Sequence, residues 1–292
     1  MSKVNSITVS CSLSMFFFCG GLLLKYTKGI ERKGIKSFIN GKVLRLLVPY
    51  IVLSTLFFFP KQILSHESIS FYSYSEMIFA PRLNALGHFW FIPVLFNLYF
   101  IFALLYKIKL LNNKSFFIIL LLCFVFFHFK PIDCKWLGIA DVCQYSLFFA
   151  LGYTLSNWIL TNKEKILNYI SLVIFFVLSV PACYCVLNGK LSHYLTLIGF
   201  TVLPLFFIFC YIIRKEYNNK FFRFFDGKYY TIYLLHWIIE YPAIMITDNI
   251  LHLGIWARII VFLSGLLIPV LIVNILNKFN IKNRFVKLVL GM

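Results

Sequence analysis

The chain has 292 residues, 61% of them hydrophobic, 20% aromatic and only 13% charged, with a formal net charge of +18. Soluble domains run at about 45–50% apolar and about 25% charged, so this composition excludes an ordinary water-soluble fold, and a water-facing surface would not carry 35 Phe. The excess of Lys and Arg is read as short basic loops that orient membrane spans, not as a nucleic-acid surface.

A helix that crosses a bilayer needs about 20 mostly apolar residues. In chain order such stretches fall at 7–26, 43–60, 88–106, 115–130, 142–160, 166–187, 195–213, 229–247 and 255–277. They predict an all-α, polytopic integral membrane bundle of about nine transmembrane helices. Pro49, Pro93, Pro181, Pro204, Pro242 and Pro269 lie inside these stretches, and neighbouring helices can re-satisfy the backbone there. The first run has no small-x-small cleavage site after it and does not read as a signal peptide. With no tandem repeat, low-complexity tract or long hydrophilic linker, residues 1–292 are expected to form one transmembrane domain.

Lys3, Lys61, Arg82, Lys130, Lys135, Lys190 and Arg258 fall on one side of these spans, and the other 21 of the 28 basic residues fall on the opposite side. The richer side is expected to be cytoplasmic. That puts the chain in the cytoplasmic (inner) membrane with its C-terminus inside and its N-terminus outside.

Few polar residues interrupt the spans. His236 and Glu240 are four apart at 229–247 and share a helix face with Tyr233 and Tyr229. Glu240 sits about 16 Å along the helix from Tyr229, near mid-bilayer. An ionisable residue there reads either as the lining of a reaction cavity or as a helix-to-helix hydrogen bond. Asn97, Gln144 and Asn274 read as amides that join helices. The eight cysteines form no CxxC pair, and HExxH, P-loop, GxSxG and paired-carboxylate signatures are absent, so no metal site is expected.

Four segments, Met15–Gly21 (MFFFCGG), Lys42–Tyr50 (KVLRLLVPY), His88–Leu95 (HFWFIPVL) and Tyr230–His236 (YTIYLLH), in that order resemble the acyltransferase-3 family, bacterial membrane acyltransferases that modify cell-surface sugars. Met15-Phe16-Phe17-Phe18-Cys19-Gly20-Gly21 is similar to that family's "PLFFFLSGYL", and Lys42 to Tyr50 (KVLRLLVPY) to its "RxxRLLIPY". His88 to Leu95 (HFWFIPVL) resembles its "HLWFLPVL", and Tyr230 to His236 (YTIYLLH) its "SxxIYLLH". Cys19 stands where the family has Ser, and Lys42 where it has Arg. Nothing here matches the family's first helix, with its basic residue and a His about eleven positions later. One further helix upstream of Met1 is therefore expected.

The resemblance implies an O-acyltransferase, with acetyl the expected group, moving it from cytoplasmic acyl-coenzyme A to the hydroxyl of a cell-surface glycan or lipid-linked sugar. Acyl-coenzyme A would be a co-substrate; no permanently bound cofactor and no nucleic-acid partner is expected. Arg45 and Lys42, with Lys36 nearby, would anchor the donor's phosphates, although positive-inside topology alone also accounts for basic residues there. His88, Tyr233 and His236 would surround the reacting groups as catalytic residues. Trp90 and Glu240 would bind substrate, with an aromatic-belt role open for Trp90. His66, His128, His193 and His252 carry no assigned role. Two alternatives remain: an exporter or flippase of polysaccharide units, with His236 and Glu240 on its path, and an inactive truncated member of the family.

The charge bias makes a direct prediction. A reporter fused after Lys287 should give a cytoplasmic signal and one at Lys61 an external signal. An external signal after Lys287 would invert the topology.

Overall fold

Long apolar runs without period-two alternation give helices, and every regular element among the described residues is helical. The structure is a computed structural model describing residues 3–66, 68–111, 116, 118–119, 121–123, 125–126, 134–162, 220–252, 254–279 and 283–291. The helices are α1 (Lys3–Tyr26), α2 (Gly29–Lys33), α3 (Ile35–Lys42), α4 (Val48–Leu64), α5 (Phe71–Phe79) and α6 (Phe91–Lys107). They continue as α7 (Ile139–Asn162), α8 (Lys220–Phe225), α9 (Tyr229–Ile244), α10 (Ile255–Lys278) and α11 (Arg284–Val289).

Among the described residues two helical stretches are long and apolar enough to cross a membrane, Ile35–Leu64 and Trp256–Lys278. Leu13–Tyr26 and Phe91–Lys107 are shorter apolar helices. The expected spans at 166–187 and 195–213, and half of that at 115–130, lie outside the described residues, as do His128 and His193. α5 and α11 match no expected span, being far shorter than a bilayer crossing.

The chain divides into two compact units, Met1–Asn40 with Val94–Glu216, and Gly41–Pro93 with Tyr217–Met292. In the first, α1 packs along α7. A Cβ on Gly21 would overlap the Phe149 carbonyl, and one on Gly152 would overlap that of Phe18. Two helices with little polar surface hold together by such backbone approach, which only small residues permit. Around the crossing Phe17 stacks on Tyr145 with ring centroids 4.5 Å apart, and Phe149 meets Tyr99 and Phe102 edge-on. Ser156 Oγ donates to the Leu22 carbonyl at 3.1 Å. Asn97 Nδ2 donates to the Leu137 carbonyl at 2.8 Å, binding α6 to the turn before α7.

In the second unit the chain enters α4 through a π-helical turn, Val43–Leu47. Pro49 explains it: proline lacks the N–H that would meet the carbonyl of Arg45 and its ring crowds that carbonyl, so the turn widens. Tyr50 Oη donates to the Ile78 carbonyl at 2.8 Å. Buried Asn84 donates to Ser54 Oγ at 2.8 Å and accepts from the Leu86 N–H at 2.9 Å. These bonds fix the loop leading to His88. α9 packs against α10, and Thr231 Oγ1 donates to the Leu290 carbonyl at 2.7 Å, tying the end of α11 to α9.

Gly152→Leu should separate α1 from α7, lowering the melting temperature in detergent and the monodisperse fraction on size exclusion. Overpacking of this kind costs about 1–3 kcal/mol. Gly41→Ala, where a Cβ meets nothing within 4 Å, should change neither.

Candidate active site

Four of the residues singled out in the sequence, His88, Tyr233, His236 and Glu240, meet in the second unit. His88 lies in the turn before α6 and not inside the helix, which begins at Phe91, so that Pro93 falls in the first turn, where its missing N–H has no helical partner to lose. Its backbone carbonyl accepts a 2.7 Å hydrogen bond from Tyr233 Oη. Its ring meets that of His236 edge-on with centroids 4.8 Å apart, and stacks on Trp237 at 5.8 Å and 27°. Phe89 and Tyr233 close on it edge-on at 4.7 and 5.5 Å. Both ring nitrogens of His88 are buried with no hydrogen-bond partner among the described residues. Leaving a buried donor or acceptor unmet costs about 1–3 kcal/mol.

His236 is oriented by its own helix. Its Nδ1 lies 2.8 Å from the Tyr233 carbonyl and 3.2 Å from that of Ile232. A carbonyl only accepts, so Nδ1 carries the proton, and the neutral ring keeps its lone pair on Nε2. Nε2 is thus the basic atom. Glu240, one turn on, is within electrostatic reach of His236. Its carboxyl lies against Gly265 of α10, where any Cβ would overlap it.

Trp90 is buried, and the Arg82 guanidinium lies over its ring, 3.7 Å from the centroid, a favoured cation–π arrangement. Lys42 closes α3 half-buried, and Arg45 is exposed in the π-helical turn. Arg45 acts electrostatically on Tyr230, whose buried hydroxyl has no hydrogen-bond partner among the described residues. Tyr230 in turn stacks on Tyr233 at 6.3 Å and 12°. Ring contacts therefore run from Tyr230 through Tyr233 to His88 and His236. Lys36 is exposed on α3 in the first unit. His66 and His252 are exposed, at left-handed backbone positions.

The sequence reading missed two members of this cluster. It placed Tyr229 on the reactive face, but Tyr229 is 59% exposed, and Tyr230, three residues before Tyr233, is the ring that stacks there. Trp237 follows His236 directly, and adjacent positions on a helix do not share a face. The turn carrying His88 comes far enough around α9 to meet both.

A family model described as "Acyltransferase domain" matches residues 2–274. No curated protein and no solved structure matches the chain.

Proposed function

The chain belongs to the acyltransferase-3 family of membrane proteins, and from that premise we propose that it moves an acyl group, acetyl foremost, from cytoplasmic acyl-coenzyme A to a hydroxyl of a cell-surface glycan or lipid-linked sugar. Residues 1–292 work as one transmembrane domain of about nine spans in the inner membrane, with the C-terminus in the cytoplasm and the N-terminus outside.

The observation that carries this reading is His236 Nδ1 held at the Tyr233 carbonyl beside His88, whose ring nitrogens have no hydrogen-bond partner among the described residues. His236 Nε2 takes the proton from the sugar hydroxyl as its oxygen attacks the thioester carbonyl carbon. A ring N–H of His88 donates to the oxyanion that forms, in an apolar site where such a donor is most effective. As the tetrahedral intermediate collapses, the carbon–sulfur bond breaks and the proton on His236 passes to the departing thiolate. Ester and free coenzyme A result. Tyr233 positions His88 through its carbonyl, Glu240 and Trp90 face the acceptor, and Lys42 and Arg45 hold the donor's phosphates as a co-substrate, with no resident cofactor.

His236→Gln should lower kcat by roughly 10²- to 10⁴-fold, the usual contribution of a general base, with an unchanged elution profile and melting temperature. Near-normal turnover would make this face structural. Arg45→Ala should weaken acetyl-coenzyme A binding roughly tenfold, the order expected for one charge-assisted hydrogen bond. Arg45→Lys should recover only part of it, because the planar fork is lost, and added salt should weaken binding to the unsubstituted protein. If labelled donor binds Arg45→Ala as tightly as the parent, the phosphates are held elsewhere.

A further inference from the structure

In the first unit a half-open cleft lies where apolar helices end. The apolar run Leu13–Tyr26 stops at its edge, and Tyr106 sits one residue before the end of α6. Leu24 and Ile30, both buried, form the apolar part of its wall. The polar part comes from Lys25, Lys28, Glu31, Tyr106 and Tyr153.

These polar groups are not arranged as a loose basic loop. Lys25 is half-buried, with its ammonium 5.1 Å from the centre of the Tyr153 ring. Lys28 occupies the left-handed region, φ 48°, which non-glycine residues adopt infrequently. Glu31 and Tyr106 are both within electrostatic reach of Tyr153. Lysine residues that served only to orient the chain would need neither the tyrosine rings nor a carboxylate beside them.

We propose that this cleft binds the phosphoethanolamine headgroup of a membrane lipid, with Lys25 and Lys28 on the phosphate and Glu31 on the ammonium. Lysine ammoniums and tyrosine hydroxyls are donors, and a phosphodiester offers only acceptors. Glu31 repels a purely anionic headgroup but completes the complement of one that carries a positive charge beside its phosphate. Leu24 and Ile30 lie against the glycerol and the first methylenes. The height fits, since the ends of apolar helices lie at the headgroup layer. This site is separate from the His88–His236 cluster and is independent of the reaction proposed for it.

The test titrates short-chain phosphatidylethanolamine, phosphatidylglycerol and coenzyme A into detergent-purified full-length protein, read by native mass spectrometry and thermal shift. The parent should retain phosphatidylethanolamine in preference to phosphatidylglycerol. Glu31→Gln should reverse or erase that preference, and Lys25→Gln with Lys28→Gln should weaken retention about fivefold per lysine, the usual worth of one basic residue at a lipid surface. Lys28→Gln alone, at an exposed position, serves if the double variant does not fold. Unchanged retention by Lys28→Gln, or equal retention of both lipids by the parent, would overturn the proposal. Displacement of the lipid by equimolar coenzyme A would also overturn it, assigning the cleft to a soluble phosphate.

Discussion

The hydrogen bond from Tyr233 Oη to the His88 carbonyl organises the second unit. A backbone carbonyl in a turn has no helical partner, and within an apolar bundle no water replaces one. Tyr233 supplies the missing donor from α9, and in doing so brings the His88 turn onto the helix that carries His236. The ring contacts of His88 follow from that placement. The same bond commits the Tyr233 hydroxyl, which makes Tyr233 a strut, and in the proposed reaction the two imidazoles are the groups that act on substrate.

The two units hold themselves together by different means. α1 and α7 use glycine-permitted backbone contact and a Phe-rich surround, with the Ser156 hydroxyl bonded across to the Leu22 carbonyl. The second unit uses buried and part-buried polar bonds, Tyr50 to Ile78, Asn84 to Ser54, Thr231 to Leu290 and Tyr233 to His88. Such bonds are directional and fix positions more tightly than apolar contact does. The candidate reactive residues all sit in the unit that is built from them.

What was legible in the sequence follows the reach of each signal. Hydropathy over about 20 residues locates long helices, and α1, α6, α7, α9 and α10 lie where it put them. It is blind to α5 and α11, which are too short to carry it. The spacing of His236 and Glu240 on one face needed only the helical period. That His88 meets His236 did not follow from any period, since the two are 148 positions apart; it came from the resemblance of both segments to one family. Tyr230 was missed in favour of Tyr229 because ideal spacing ranks positions by angle, while the neighbour's side chains decide which ring is covered. The π-helical turn at Arg45 was readable in retrospect from Pro49 alone, because the missing N–H falls on a carbonyl inside the motif.

The orientation of His236 bears on what Glu240 does. A catalytic histidine needs its second nitrogen held so that the basic one faces the substrate, and a carboxylate often serves. Here the carbonyls of Tyr233 and Ile232 already hold Nδ1, so Glu240 is not required for that purpose. It is held instead against Gly265, within electrostatic reach of His236 but with its carboxyl lodged at the neighbouring helix. In the proposed reaction His236 carries a positive charge only between proton abstraction and thiolate departure. An ionised carboxyl one turn away would stabilise that interval more than the resting state, and such a differential effect is what lowers a barrier. Gly265 matters for the same reason: a side chain there would displace the carboxyl and change its distance to the imidazole, with no change to the contacts that orient the ring.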